Sequence, residues 1–158
     1  MIANLAQQLI QQLREKGWKI RCVESCTAGG LTAAIGSING ASDVLDRSWV
    51  TYSNQAKHEE VGVPLELIDS NGAVSEAVVI AMAKGAVSGC DNSTVAISVS
   101  GIAGPGGGTT DKPVGTVWIG ISVPQKKTFA KRCIFDGTRE HIQQCAVKTA
   151  LKEVLHRL

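Results

Sequence analysis

The sequence has no apolar run approaching the roughly 20 residues needed to cross a bilayer, and its N-terminus lacks the basic region, apolar stretch and cleavage site of a secretory leader. Both absences point to the cytoplasm and away from membranes. It has no bias of charge: the formal net charge is +2, spread along the chain rather than gathered in a basic stripe, which argues against a nucleic-acid partner. Cysteine comes as an odd set of five, at 22, 26, 90, 133 and 145, with no C-x-x-C pair. That set argues against a disulfide framework or a zinc site and for reduced thiols. There is no internal repeat and no linker-like stretch, so 1–158 reads as a single domain. A chain of 158 residues that is 44% hydrophobic and 19% charged is globular in composition. On folding it buries on the order of two-thirds of its unfolded surface, so its core needs no metal or disulfide.

What is present is an alternation of two hydrophobic periods. Ile2, Leu5, Leu9 and Leu13 recur at helical spacing up to Gly17, a natural helix stop. Lys19 to Val23 alternates as a strand and leads through Glu24-Ser25-Cys26-Thr27 into a small-residue helix carrying Leu31, Ala34 and Ile35. Trp49 to Ser53 is β-rich and Gln55 to Val61 has helical composition, placing Tyr52 near a strand end and Lys57 in the first turns beyond it. Ser75 caps a further helix, with Val74 packing back on it, which ends near Gly85 or Gly89. Thr94 to Val99 is an apolar strand that runs into the glycine-rich stretch Ser100 to Gly108. Val114 to Val123 and Thr128 to Phe135 form an antiparallel hairpin, and Thr138 caps a last helix with one apolar stripe from Ile142 to Leu155. Interleaved helices and strands predict an α/β fold with a mixed sheet, its ligand crevice at the carboxyl ends of the strands. Ser25, Tyr52 and the Ser100 loop all fall at that rim.

A serine hydroxyl is a weak nucleophile that needs a neighbouring base, and backbone N–H groups of a following helix can hold a developing oxyanion. Ser25 has such donors in Cys26 and Thr27. His58, His141 and His156 lie on polar helix faces, so Lys57 is the better base, desolvation lowering its pKa while Tyr52 shares or relays the proton. Each residue also has a plain structural reading. Ser25 is also readable as a helix cap, Lys57 and Arg139 as solvated surface charges, and the glycine stretch as a flexible turn or a phosphate cradle. That stretch lacks the P-loop spacing. Cys26 is an alternative nucleophile, with a small buried thiol as the plainer reading.

Five ordered stretches go further: Val23 to Gly30, Val50 to Lys57, Asn71 to Glu76, Ser98 to Gly107 and Lys112 to Trp118. Together they resemble the CinA C-terminal domain family, the nicotinamide-nucleotide amidohydrolases, in its stand-alone form and over essentially the whole chain. The resemblance implies a three-layer α/β/α sandwich with a mixed, mostly parallel sheet. It implies an enzyme that hydrolyses the carboxamide of nicotinamide mononucleotide to nicotinate mononucleotide and ammonia in pyridine nucleotide salvage, with no metal or organic cofactor. By the same resemblance Ser25 is the nucleophile, Lys57 the general base and Tyr52 a catalytic or positioning hydroxyl. The resemblance places substrate binding on Ser42 (from Gly40-Ala41-Ser42), on Ser100 and Gly101 of the Ser100 to Pro105 loop and on Arg139, beside the oxyanion contacts expected of Cys26 and Thr27. Family analogy also implies a homodimer. Ala28 stands where relatives often have glycine. A non-catalytic nucleotide-binding module, of the kind linked to competence and damage responses, is the alternative function, and an amidase or esterase for a different small amide is another.

Overall fold

The computed structural model describes residues 1–158. Five strands form one sheet in the order β2-β1-β3-β4-β5, where β1 is Lys19–Glu24, β2 Leu45–Val50, β3 Thr94–Gly101, β4 Thr116–Ser122 and β5 Phe129–Ile134. β1 pairs in parallel with both β2 and β3, while β4 is antiparallel to β3 and to β5. Only β4 therefore runs against the other four strands. The sheet is mixed and mostly parallel in direction, as the sequence led us to expect.

Helices cover both faces. α1 (Ile2–Lys16), α2 (Gly30–Gly36) and α6 (Arg139–Leu155) pack on one side, around Leu9, Leu13, Leu31, Ile35, Ala146 and Leu151. α3 (Asn54–Val61), α4 (Leu65–Asn71) and α5 (Glu76–Ala86) cover the other, around Val61, Ile68, Val78, Val79 and Met82. No helix is long and apolar enough to cross a membrane.

The caps read from sequence at Gly17, Ser75 and Thr138 are made, and Ser53, read as the end of a β-rich stretch, caps α3. Ser53, Ser75 and Thr138 accept from the backbone N–H groups of Ala56, Val78 and His141, and Gly17 closes α1 in the left-handed conformation with φ 69°. Three local readings change. β2 lies at Leu45–Val50 rather than Trp49–Ser53: as an edge strand carrying Asp46, Arg47 and Ser48 it need not be apolar, and Asp46 meets Arg21 of β1 at 2.7 Å. The short α4 has too few apolar repeats to show a helical period. α2 starts at Gly30, five residues after Ser25, because Ala28 (φ 50°) and Gly29 (φ 95°) are both left-handed and hold the chain out of the helix until then.

The strand directions decide what shares an edge. β1, β2 and β3 end at one rim, where residues 25–29, 51–53 and 102–115 emerge. The β4–β5 hairpin runs away from that rim and back to it, so α6 begins there as well. The glycine at 120, inside β4, has a packing origin: a Cβ there would lie 2.5 Å from the Val79 carbonyl oxygen, so α5 rests directly on β4.

Candidate active site

At the rim, a cavity of about 260 Å³ is lined by Ser25, Cys26, Tyr52, Asn54, Lys57, Ala73, Val74, Ser100, Gly101 to Gly104, Gly106, Gly107 and Arg139. A larger groove of about 670 Å³ between α1 and the end of α2 is lined by Gln7, Arg14, Glu15 and Asn39 among others and contains no nucleophile paired with a base. The smaller cavity, where Ser25 and Lys57 meet, is therefore the candidate site.

Ser25 follows β1 directly, its N–H bonded to the Val99 carbonyl at 2.9 Å, and its side chain is nearly buried. The serine is not a helix cap, since its hydroxyl accepts from no backbone N–H. Its partner is Lys57, whose Nζ lies 3.1 Å from Ser25 Oγ. Lys57 sits on the inward face of α3 and is 1% exposed, so it is no surface lysine. Nζ also reaches the carbonyl oxygens of Thr51 at 2.8 Å and Tyr52 at 3.4 Å. No carboxylate lies within ion-pair distance. Burial without a counter-ion pulls the Lys57 pKa down from 10.5 to about 8. A neutral amine fits these three contacts well: its two protons go to the two carbonyls, and its lone pair is left for the serine proton.

Tyr52 differs from the expected relay. It meets Lys57 through its backbone carbonyl, whereas its phenol, 54% exposed, accepts from Arg139 Nη2 at 2.6 Å. The hydroxyl has no bond to Lys57 or Ser25, so it stands at the mouth of the cavity rather than on the path of the serine proton. Arg139, at the start of α6, also donates to the Gly104 carbonyl at 2.8 Å. It thus joins three chain segments across the mouth.

Cys26 is buried, and burial pushes its thiol up to about 12. Its sulfur packs behind Gly101, where a Cβ would approach it to 3.1 Å and Val117 Cγ2 to 2.7 Å. The thiol is protonated at neutral pH and is no rival nucleophile. The backbone N–H groups of Cys26 and Thr27 donate to no protein acceptor. The Thr27 side chain turns away from the cavity and donates to Glu24 Oε1 at 2.7 Å, which leaves only its N–H for a ligand. Ser100 is buried and gives its proton to the Ala73 carbonyl at 2.8 Å, so it shapes the Ala73–Val74 wall. Val74 faces this cavity rather than stapling α5, because Ser100 holds its loop at the rim.

Ser42 lies elsewhere. It belongs to a single 3₁₀ turn, Ala41–Asp43, leading into the start of β2. That places it at the opposite edge of the sheet from Ser25, a strand length away, and it does not line the cavity of its own chain. With the strand read from Trp49 rather than Leu45, nothing in the sequence signals that Ser42 lies just before β2 and so adjoins its N-terminal end. Conversely, Asn54, Ala73 and Gln143 were not singled out by sequence, and Val74 reads there only as a packing residue of the helix after Ser75. Gln143 Nε2 donates to the Cys26 carbonyl at 2.9 Å across 117 residues of chain, a contact no local pattern signals. No group of three or more His, Cys, Asp or Glu side chains is arranged to hold a metal ion.

Comparison with known proteins gives this geometry its relatives. The chain is 46% identical to the nicotinamide-nucleotide amidohydrolase PncC of Enterobacter agglomerans, over 96% of this chain and 94% of that protein. It is 40% identical to the protein of the same name in Escherichia coli K12, over 96% and 91%. A CinA-like protein of Syntrophobacter fumaroxidans is 48% identical over 89% of this chain, which spans a third of that longer protein. Among solved structures, the competence/damage-inducible protein CihA of Agrobacterium tumefaciens superposes with a TM-score of 0.93 at 36% identity, covering 98% of this chain and 94% of that one. The CinA superfamily protein of Escherichia coli superposes with a TM-score of 0.94 at 31% identity, covering 100% and 91%. The family profile described as the CinA C-terminal domain matches residues 2–158, and the chain belongs to that family.

Proposed function

We propose that the protein hydrolyses the carboxamide of nicotinamide mononucleotide, giving nicotinate mononucleotide and ammonia. The observation that carries the reaction type is the buried, unpaired Lys57 amine at 3.1 Å from Ser25 Oγ. The substrate is taken from the full-length relatives named for that activity.

Ser25 Oγ attacks the carboxamide carbon as its proton passes to Lys57, and the oxyanion is held by the free N–H groups of Cys26 and Thr27. Lys57 then returns the proton to the departing nitrogen, so the C–N bond breaks with ammonia leaving and a nicotinyl ester on Ser25. Water, deprotonated by the same amine, cleaves that ester and frees the acid and the serine. Ala73 and Val74 offer the pyridine ring an apolar wall. The N–H groups of Ala103, Gly104, Gly106 and Gly107 have no protein acceptor, and with Arg139 they suit the 5′-phosphate. Under this reading the protein acts in the cytoplasm, in pyridine nucleotide salvage and as a homodimer, the last resting on family membership; light scattering after gel filtration reads the assembly.

The test is ammonia release from nicotinamide mononucleotide, its riboside and free nicotinamide, beside folded Ser25→Ala and Lys57→Ala. The expected result is turnover that strongly favours the nucleotide and is lost in both variants. Nucleotide binding without ammonia would replace the enzyme with a binding module. Activity surviving in Ser25→Ala would mean another nucleophile.

A further inference from the structure

We propose that Glu24 is a positioning residue for the nucleophile: it takes over the capping of α2, so that the Ser25 hydroxyl and the Cys26 and Thr27 N–H groups stay free for the reaction. The proposal rests on Ser25 being the nucleophile.

Glu24 closes β1 and is 0% exposed. Its carboxylate has no cation partner among the ion pairs of the molecule. Instead Oε1 accepts from Thr27 Oγ1 at 2.7 Å and the Leu31 N–H at 2.8 Å. Oε2 accepts from the Thr32 N–H at 2.9 Å and Thr32 Oγ1 at 2.6 Å. Four donors match the four lone-pair sites of the carboxylate. A buried carboxylate is costly unless it is satisfied in this way, and an apolar residue would fill a strand end more cheaply. The four donors show what the charge is used for, since all come from residues 27–32 and enclose the left-handed pair Ala28 and Gly29.

Leu31 and Thr32 are the second and third residues of α2, whose N–H groups a serine at the helix start would ordinarily cap. Glu24 satisfies them from the strand below. The N-cap position is held by Gly29, which has no side chain to cap with, so Glu24 supplies the cap and the turn carrying Ser25, Cys26 and Thr27 spends no hydroxyl or N–H on the helix start. Within the turn, Ala28 N–H bonds to the Ser25 carbonyl at 3.0 Å and Gly30 N–H to that of Thr27 at 2.9 Å. The N–H groups of Cys26 and Thr27, ahead of both, remain unspent. Gln143 completes the arrangement from α6. In a trans peptide the C=O and the following N–H point in opposite directions, so its bond to the Cys26 carbonyl also fixes the direction of the Thr27 N–H.

The test uses the full-length chain with Glu24→Gln, which keeps the size of the side chain but cannot offer four acceptor sites. Steady-state ammonia release and the rate at which a fluorophosphonate labels Ser25 are measured together. In the labelling, Ser25 Oγ bonds to phosphorus, its proton passes to Lys57, and fluoride leaves. We expect kcat to fall about 100-fold, as when an oxyanion donor is lost, with KM for nicotinamide mononucleotide within about twofold. Labelling should slow in parallel, and the pH at which the rate levels should not move. A folded Glu24→Gln protein with wild-type kcat and labelling rate overturns the proposal. So does a loss of both that only tracks the folded fraction measured by circular dichroism. Should Glu24→Gln not fold, Thr32→Val decides by the same readouts: it removes one hydroxyl bond outside the cavity, and a several-fold fall in kcat at constant KM is expected, an unchanged kcat being the overturning result. A wild type that is labelled at Ser25 yet releases no ammonia defeats the proposed substrate while leaving the labelling rates to decide this inference.

Discussion

Lys57→Met should make the protein more stable near neutral pH, and the pH dependence of that gain follows from one pKa. Below about pH 8 Lys57 is protonated in both the folded and the unfolded chain, and the folded state bears the full cost of a buried cation. Between about 8 and 10.5 only the unfolded chain keeps the proton, so raising the pH favours the native state. Above 10.5 neither holds it and the cost vanishes. The gap between 10.5 and about 8 corresponds to roughly 3 kcal/mol at pH 7, falling to about 2 kcal/mol at pH 9. The methionine also leaves the Thr51 and Tyr52 carbonyls without their donor, at a cost of about 1–2 kcal/mol that does not depend on pH. The expected net gain at pH 7 is therefore about 1–2 kcal/mol. The sharper quantity is the change with pH, because other titrating groups cancel between the two proteins. Denaturant unfolding of both at pH 7, 8 and 9 should show the advantage of the variant shrinking by about 1 kcal/mol across that range. An advantage that stays constant, or a variant less stable by the same amount throughout, would refute a desolvated lysine.

The same titration governs turnover. At low substrate, kcat/KM should rise about tenfold per pH unit up to about pH 8 and then level, because only the neutral amine accepts the serine proton; a limb centred near 6.5 would instead implicate a histidine. Ala28→Gly should raise stability by about 1 kcal/mol in denaturant unfolding, since Ala28 is held at φ 50° where a Cβ is strained. Arg139→Ala should raise KM for the nucleotide about 10- to 100-fold while leaving kinetics with the riboside nearly unchanged. Arg139→Lys should not restore it, because a single ammonium cannot reproduce the forked contact to Tyr52 and Gly104; equal effects on both substrates would remove Arg139 from the phosphate.

Much of the architecture was legible because periodicity and caps are local. Gly17, Ser75 and Thr138 mark their helix ends in the sequence itself, and the apolar stripe of α6 is joined by Glu153, which is buried through ion pairs to Lys131 and Arg157. The positions of Ser25 and Lys57 at strand exits were equally readable, but their contact across 32 residues was not. It depends on β1 and β2 being parallel neighbours, a fact of sheet order. The contacts of Tyr52 and the placement of Ser42 were hidden from motif for the same reason. A backbone carbonyl rather than a side chain faces Lys57, and a segment that precedes a strand lands at the far edge of the sheet. Glu24 falls just beyond the strand as read from sequence and has no role there, because the four donors that satisfy it are brought together by the turn at residues 27–32.

Sheet order also explains why a lysine can serve as base here. A neutral Lys57 requires burial and the absence of any nearby carboxylate, yet the residue beside the nucleophile is an acid. The conflict is avoided because the strand pleat sends successive side chains to opposite faces. Glu24 points toward α2 and is saturated there, while Lys57 approaches Ser25 from α3 on the other face and bonds only to carbonyls and the hydroxyl. Moving the charge across should undo the arrangement. In Ser25→Asp a carboxylate takes the place of the hydroxyl 3.1 Å from Nζ. An opposite charge at such range favours the protonated amine by one to three pH units or so. The folded pKa of Lys57 then returns toward that of the unfolded chain. The stabilisation that the wild type gains from pH 7 to 9 should therefore disappear in Ser25→Asp, making its unfolding curves run parallel to those of Lys57→Met over that range. Were Ser25→Asp to keep the wild-type gain, the low pKa could not come from the lack of a counter-ion, and the physical basis for a Ser25–Lys57 pair would fail with it.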